Sequence, residues 1–337
     1  FAQCPYKHFV RYGLVPKREQ RPGVDAAELG TLYHEAAERF THAVTALPEF
    51  PEVSVEVCDK LMDEAVSPLI DAWRESPMGE SRRGEAVARR IRRTAKRTAR
   101  NIVSQYADSS CRPAQMEFVF GQNGLSPIVL ELGDGTFVYL QGRIDRVDVM
   151  TGGGLRVIDY KSGSRKFDPT LVYWGLQLQL LLYLAAALAR VPGSHAAGFF
   201  YCRIADPTVQ TESRIREEVE RQIAKKLALS GISLSDVTIL RAQGGQQAAM
   251  VTKDGKPNGR FAASMVDEAG MEKLLTFARN KAAALADEIY AGEIDDSPVE
   301  RETFNACQNC EYSAICVFDP LRKPRRRLTA KRLEDLT

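Results

Sequence analysis

The fold is decided by the stretch Leu155-Arg156-Val157-Ile158-Asp159-Tyr160-Lys161-Ser162-Gly163. Its apolar residues predict a strand, and Ser162-Gly163 predicts a turn immediately after it. Because side chains alternate along a strand, Asp159 and Lys161 point to the same face. Alone, this acid-lysine pair is weak evidence of a reaction site, because an ordinary salt bridge also explains it.

The segments around this strand predict an α/β fold. Further strand-forming runs are Glu117–Phe120, Ile128–Leu132, Phe137–Leu140 and Ala196–Tyr201. Apolar spacing predicts helices at about 28–44, within 53–106 with turns near Pro77 and Gly79, at about 171–190 and at about 271–290. A turn-rich hairpin is expected near 253–261. This succession favours a mixed sheet flanked by helices.

A second carboxylate lies in Gly142-Arg143-Ile144-Asp145, which we place at the end of the preceding strand. Carboxylates on neighbouring strand ends can share a hard divalent cation such as Mg2+. A lysine beside them can orient or deprotonate a water, or stabilise the charge that develops on a phosphate. These two acids and Lys161 therefore form a candidate hydrolytic site.

Other polar residues precede and follow this site. His34 lies one helical turn after Gly30, whose small size leaves room for close approach, although a lone helical histidine is more often a core or surface residue. Glu117 starts the first strand. Gln179 and Tyr183 lie four residues apart and share a helix face. For these two alone, a packed helix with one polar seam is the favoured explanation.

Seven cysteines are an odd number for a disulfide framework, and three of them crowd into Cys307, Cys310 and Cys316. Three thiols in so short a segment indicate a metal or cluster site that needs one more ligand. Four thiolates suit zinc and an iron-sulfur cluster equally well. The pattern is typical of an intracellular protein, and Cys58, Cys111 and Cys202 are expected to be small core residues.

The composition excludes several classes of protein. Of 337 residues, 44% are hydrophobic and 27% are charged, an ordinary globular mix that argues against disorder and fibrous structure. No apolar run approaches the roughly 20 residues that span a bilayer, and no signal peptide opens the chain. We therefore expect a cytoplasmic protein with no membrane association. Because the chain begins with Phe1 and not Met, we expect a fragment or a processed product.

The formal net charge is only +2, but the basic residues are clustered. On one predicted helix, Arg89, Arg92, Arg93 and Arg97 belong to a basic run in which Glu85 is the only acid. A ridge of guanidinium groups there suits DNA phosphates, although a solvated helix face explains many charge runs. A second basic patch covers 322–332, where a disordered tail and a contact with a partner subunit are the alternatives.

Taken together, the motifs G-x-x-x-H, E, G-R-I-D, D-Y-K-S-G and Q-x-x-x-Y occur in an order that resembles the RecB branch of the PD-(D/E)XK nuclease superfamily. The opening Phe1-Ala2-Gln3-Cys4-Pro5-Tyr6-Lys7-His8-Phe9 and the cysteine segment extend the resemblance to AddB-like nucleases, over nearly the whole chain. The resemblance implies a restriction-endonuclease-like core and metal-dependent cleavage of DNA strands during double-strand-break processing.

The resemblance also assigns roles to residues. It implies that His34, Asp145 and Asp159 bind Mg2+ or Mn2+ and that Lys161 acts on the attacking water. Glu117, Gln179 and Tyr183 would support the site or the strand. Cys4 would join Cys307, Cys310 and Cys316 in holding a [4Fe-4S] cluster that staples the N- and C-terminal segments together. Its role is expected to be structural; redox sensing is the alternative.

We expect one nuclease domain over 1–337, with cluster-binding segments at 1–20 and 300–320. Its core would comprise 28–45 and 115–205, with a basic helical insertion at 50–108 and a basic tail at 321–337. No G-x-x-x-x-G-K-[ST] motif is present, so helicase activity would belong to a partner subunit of the AddA type or to a missing part. The expected substrate is single-stranded DNA. An inert DNA-binding scaffold of the same fold and a zinc-stabilised binding protein are the alternative interpretations.

Overall fold

The computed structural model describes residues 1–16, 26–76, 79–122, 126–210, 215–302 and 304–337. Residues 17–20 of the N-terminal cluster-binding segment and the turn expected at Pro77 lie outside these ranges. The helices are α1 (Pro5–Phe9), α2 (Ala26–Thr45), α3 (Val55–Arg74), α4 (Arg82–Ser104), α5 (Pro169–Tyr173), α6 (Gln179–Arg190), α7 (Arg216–Leu227), α8 (Val237–Ala242), α9 (Gly245–Ala248) and α10 (Glu268–Tyr290). The strands are β1 (Cys111–Phe120), β2 (Ile128–Glu131), β3 (Phe137–Leu140), β4 (Gly142–Met150), β5 (Gly154–Lys161), β6 (His195–Arg203), β7 (Ser230–Leu234), β8 (Met265–Val266), β9 (Val299–Arg301), β10 (Phe304–Asn305) and β11 (Arg326–Arg327).

The main sheet has six strands in the order β1-β4-β5-β6-β7-β8. β4 pairs antiparallel with both β1 and β5, whereas β5 and β6 are parallel, so the predicted mixed sheet is confirmed. β2 and β3 form a separate antiparallel hairpin. Among the described residues, no helix has the length and apolar character that crossing a bilayer requires.

Helices cover both faces of the main sheet. α2, α3 and α4 bury Phe40, Ile70 and Ile102 in one hydrophobic cluster with Ile158 and Phe200 of the sheet. A second cluster joins α6 and α10 to the other face, where alternate residues of β5 and β6 point. Capping fixes several helix starts: the Ser81 hydroxyl accepts a hydrogen bond from the Gly84 N–H, and the Asp267 carboxylate accepts one from the Gly270 N–H.

The single helix predicted at 171–190 is wrong, because the structure divides it into α5 and α6. Gly175 has a φ of +76°, which ends α5 in the left-handed conformation that glycine adopts without strain. Gln177 then holds the connection, since its side chain accepts from the Asp168 N–H and donates to the Lys166 carbonyl, both at 2.8 Å. The amide in the apolar run thus satisfies backbone groups that the helix break leaves free.

The C-terminal segment is folded onto the rest of the chain, so the disordered tail considered above is wrong. β11 pairs in parallel with β9. The Arg326 side chain donates to the carbonyls of Ser297 and Ala2, each at 2.8 Å. Leu336 is buried in the same cluster as α6 and α10. Residues 205–250, for which the sequence predicted no element, supply α7, β7 and α8.

Candidate active site

Antiparallel pairing of β4 and β5 brings the two central acids together. Arg146 lies opposite Ile158, so one step along the ladder Asp145 lies opposite Asp159. The Tyr160 N–H donates a 2.6 Å hydrogen bond to the Asp145 carboxylate. The expectation that Asp145 ends its strand is wrong: it lies near the start of β4, and it meets the end of β5 because the two strands run in opposite directions.

A histidine from α2 and a glutamate from β1 complete an acidic cluster. One ligand atom each from His34, Glu117 and Asp145 lie within 4.8 Å of one another. The His34 Nδ1 and an Asp145 carboxylate oxygen are 3.3 Å apart. One imidazole and two carboxylates form a donor set that suits a divalent cation such as Mn2+ or Mg2+. The side chains present therefore fit the metal that the sequence motifs imply.

Glu117 reaches the cluster through an unusual backbone conformation. Its φ is +47°, in the left-handed region that residues other than glycine seldom occupy. Arg143 on the neighbouring strand holds the carboxylate, with its Nε 2.8 Å from Glu117. The sequence placed Glu117 among the supporting residues. Its closeness to His34 and Asp145 depends on the local backbone and on strand pairing, and neither is visible in a strand pattern.

Asp159 and Lys161 form the adjoining part of the site. The Lys161 Nζ lies 2.5 Å from an Asp159 carboxylate oxygen. Asp159 is almost fully buried, and burial together with the charge of Asp145 raises its pKa to about 6. Lys161 remains partly exposed at the end of β5. The pair thus joins a buried acid to an amine that faces the solvent.

The cluster residues also have altered proton affinities. Burial lowers the pKa of His34, but the hydrogen bond and charge of Asp145 outweigh burial and raise it overall. Burial and the charge of Asp145 raise the pKa of Glu117 against the opposing charge of Arg143. Crowded carboxylates hold protons more tightly because their charges repel one another. A bound cation would remove this repulsion, so metal binding and proton release are coupled here.

Gln179 and Tyr183 stand on α6 beside these acids. The Gln179 amide donates a 2.8 Å hydrogen bond to the Tyr183 hydroxyl, as their shared helix face predicted. Burial, and to a smaller extent the charges of Asp159, Asp145 and Glu117, raise the pKa of Tyr183, which places its hydroxyl within electrostatic reach of all three. Tyr183 is therefore part of the site's surroundings, and Gln179 fixes the orientation of its hydroxyl.

A cleft of about 520 Å3 opens above the cluster and is lined by His34, Glu117, Arg143 and Asp145 together with one face of α2. Gly30 lines it one helical turn before His34, and a side chain added there would meet open space. Room for a ligand next to His34 is what the sequence predicted for this glycine.

Behind the acids, a fully buried ionic network fills the space between β4, β5 and α4. Asp148 accepts 2.8 Å hydrogen bonds from the Arg156 Nε and the Tyr106 hydroxyl, and it lies 3.2 Å from the Arg146 Nε. Arg146 also donates to the Tyr160 hydroxyl at 3.0 Å. Tyr160 therefore links this network to the cluster, since its N–H holds Asp145. The sequence analysis did not identify this network.

The four cysteines assigned to a cluster come together. Cys4, Cys307, Cys310 and Cys316 line one cavity, with Tyr6 and Phe318 among the other walls. Burial raises the pKa of the Cys4 thiol, and the charges of Cys316 and Cys307 add to it. Among the described residues, no three cysteine sulfurs lie within 4.8 Å of one another. A tetrahedral zinc site with bonds of about 2.3 Å needs sulfurs about 3.8 Å apart, so the donor set fits a larger group better.

The basic helix α4 differs from the free ridge that its sequence suggested. Arg93 contacts Asp206 at 2.5 Å, and Arg97 pairs with both Asp206 and Glu220. Arg92 lies 3.4 Å from Asp63 of α3. Arg89 is exposed and lies 3.9 Å from Glu85, on its own helix. Most of the acids that face the ridge come from elsewhere in the chain, so the local sequence could not reveal them.

Comparison with known proteins agrees with this site. Residues 1–317 match the PD-(D/E)XK nuclease superfamily. An ATP-dependent helicase/deoxyribonuclease subunit from Alkaliphilus metalliredigens is 33% identical over 95% of this chain. The proteins of the same name from Clostridium tetani and Caldanaerobacter subterraneus are 33% and 34% identical over 95% of it. In each case the aligned region is 29% of the relative's own length, so the chain spans less than a third of these relatives.

The family match covers both the acid-lysine pair at the end of β5 and the acidic cluster beside it. It also includes the four cysteines, from Cys4 to Cys316. The sequence motifs, the mixed sheet and the match all lead to the same assignment: the chain belongs to the PD-(D/E)XK nuclease superfamily.

Proposed function

We propose that this chain is a Mg2+- or Mn2+-dependent deoxyribonuclease that hydrolyses phosphodiester bonds of single-stranded DNA. The observation that carries the proposal is the acidic cluster of His34, Glu117 and Asp145 beside the pair Asp159–Lys161. Acidic ligands for a cation next to a lysine are what phosphodiester hydrolysis requires, because the reaction needs charge neutralisation and an activated water.

Each residue of the site has a role in this proposal. His34, Asp145 and Asp159 hold the cation, and their closeness to Glu117 adds that carboxylate to the set. When bound, the cation supplies positive charge against the phosphate and makes water more acidic. Lys161 directs a hydrogen bond from its partly exposed amine to the attacking water or to a phosphate oxygen. Tyr183, oriented by Gln179, borders the path of the strand.

The cysteine cavity is proposed to hold a [4Fe-4S] cluster. Its support is the meeting of Cys4 with Cys307, Cys310 and Cys316 at spacings wider than one zinc ion requires. Such a group would connect α1 to the C-terminal segment within one nuclease domain. We propose a structural role, because binding energy at a site that exists only in the folded chain becomes folding energy.

The α4 arginines remain proposed DNA contacts, with a division of labour suggested by their pairing. The side chains of Arg89 and Arg93 are 71% and 70% exposed, whereas that of Arg97 is 19% exposed and engaged by two acids. Exposed guanidinium groups can exchange a surface carboxylate for a phosphate at little cost, because surface ion pairs are weak. We therefore assign phosphate contact mainly to Arg89 and Arg93, and packing mainly to Arg97.

The relatives are named as subunits of a helicase/deoxyribonuclease, and this chain carries no nucleotide-binding motif of its own. We propose that it acts within a helicase-nuclease that processes double-strand breaks, beside a partner subunit of the AddA type. A cytoplasmic location, inferred from the cysteines, remains a prediction.

The test is a degradation assay on end-labelled single-stranded DNA and on the matching blunt duplex, with Mg2+ or with a chelator. We expect cleavage of the single strand only with the metal, and a loss of about 100-fold or more in Asp159→Ala and Lys161→Ala. Asp134→Ala and Lys253→Ala, which remove the same charges from exposed turns, should cut at the parent rate.

Two results would contradict the proposal in different ways. A folded Asp159→Ala variant that cuts at the parent rate would show that the reacting site lies elsewhere. A parent protein that binds the strand and leaves it intact in Mg2+ and in Mn2+ would support the alternative, an inert DNA-binding scaffold of the same fold.

A further inference from the structure

The strand next to the reacting pair carries a second pair of polar side chains. In the parallel register of β5 and β6, Asp159 lies beside Tyr201 and Lys161 lies beside Arg203. Neighbouring strands are about 4.8 Å apart, and side chains at paired positions share a face of the sheet. Arg203 is therefore the nearest cross-strand neighbour of Lys161 on the side away from Asp145.

The guanidinium of Arg203 lacks a partner. Its Nε is buried and forms no hydrogen bond. The residue is partly exposed, and among the described residues no carboxylate pairs with its guanidinium. By contrast, the partly buried arginines Arg97 and Arg100 of α4 each have an acid. An enclosed guanidinium without an anion is costly, so it indicates a site where an anion binds.

The charges across the sheet change sign at Lys161. Glu117 on β1, Asp145 on β4 and Asp159 on β5 are acidic, whereas Lys161 and Arg203 are basic. A DNA strand held at the acidic cluster through a cation would present its next phosphate to the basic side, because backbone phosphates repeat along the strand. A planar guanidinium is suited to two oxygens of such a phosphate.

We propose that Arg203 is a phosphate-binding residue of this site, whose guanidinium takes non-bridging oxygens of the substrate strand beside Lys161. This inference rests on the proposed nuclease function and extends it: the strand is held by a cation side and an arginine side, with Lys161 between them.

The test measures the binding of fluorescein-labelled oligothymidylate by anisotropy, with Ca2+ in place of Mg2+. Arg203→Gln should weaken binding by about tenfold or more and reduce the slope of log K against log salt by about one. Arg203→Lys should keep the salt slope while recovering part of the affinity. Arg190→Gln is the matched control: it removes the same charge from the far end of α6, about 16 Å from Gln179.

A second measurement locates the contact. A single neutral methylphosphonate, moved along the oligonucleotide, should weaken parent binding most at the phosphate that Arg203 holds, and should have no further effect there in Arg203→Gln. Parent-like affinity and salt slope in a folded Arg203→Gln, or equal sensitivity of both proteins at every position, would overturn the assignment. Failure of the parent to cut DNA with Mg2+ would refute the nuclease proposal instead, and the binding data would still decide the role of Arg203.

Discussion

Asp159→Asn should make the metal-free protein more stable at neutral pH while abolishing its cleavage. Asp159 is buried beside Asp145, and its pKa is raised from 3.8 to about 6. A group whose pKa is raised on folding stabilises the protein in its protonated form. That contribution is complete below about pH 4 and is lost as the pH rises through about 6.

The size of the effect follows from these two pKa values. Their difference corresponds to about 3 kcal/mol of unfolding free energy, at about 1.4 kcal/mol per pKa unit. The figure already contains the attraction to Lys161, because that attraction contributes to the folded pKa. Asparagine has the shape of the protonated acid and carries no charge, so the variant avoids the cost. For a chain of this length, we expect a melting temperature about 4 °C higher.

The assay is thermal unfolding of the parent and Asp159→Asn in a chelator, at pH 4.5 and at pH 7.5. The variant should be the more stable at pH 7.5, and the difference should shrink at pH 4.5. Adding Mg2+ at pH 7.5 should raise the parent melting temperature more, since the cation offsets the crowded charge. Asp71→Asn, on an exposed position of α3, is the control. An Asp159→Asn protein that is less stable than the parent at pH 7.5 in the chelator would refute the reasoning.

Three further predictions concern other parts of the molecule. Cys310→Ser should lose the bound iron and acid-labile sulfide and unfold at a lower temperature, while Cys202→Ser should keep the iron; stoichiometric zinc in the parent would contradict the cluster. Asp148→Asn should lower the unfolding free energy measured in urea by about 3 to 5 kcal/mol, because two buried guanidinium groups lose their anion; a loss below about 1 kcal/mol would show that the network matters little. Arg89→Gln combined with Arg93→Gln should reduce the salt slope of DNA binding by about two, and an unchanged slope would make α4 a solvated face.

The parts of the site that were predictable lie close together in sequence. Asp159 and Lys161 share a face because a strand alternates, and Gln179 and Tyr183 meet because a helix repeats. Both relations hold within one element, so the sequence is sufficient. The mixed sheet was predictable for the same reason, since each strand has its own apolar pattern.

The parts that were missed depend on contacts between distant segments. Glu117 approaches His34 through a left-handed backbone residue and the pairing of β1 with β4, which no local pattern encodes. The ion pairs of Arg93 and Arg97 require Asp206 and Glu220, which lie over 100 residues away. The break between α5 and α6 was missed because Gly175 stands within an otherwise apolar helical pattern.

The ladder between β4 and β5 also guards against misfolding. Sliding β4 by one residue would turn every side chain to the opposite face. Asp145 would leave His34, and the guanidinium of Arg146 would take its place, so a cation would meet a positive charge. The same slip would separate Asp148 from Arg156 and leave charges buried alone. The correct alignment is therefore enforced twice, by acids on one side of the strand and by an ionic network on the other. A protein with the network removed should tolerate the slipped alignment, keeping its secondary structure while losing its cation site.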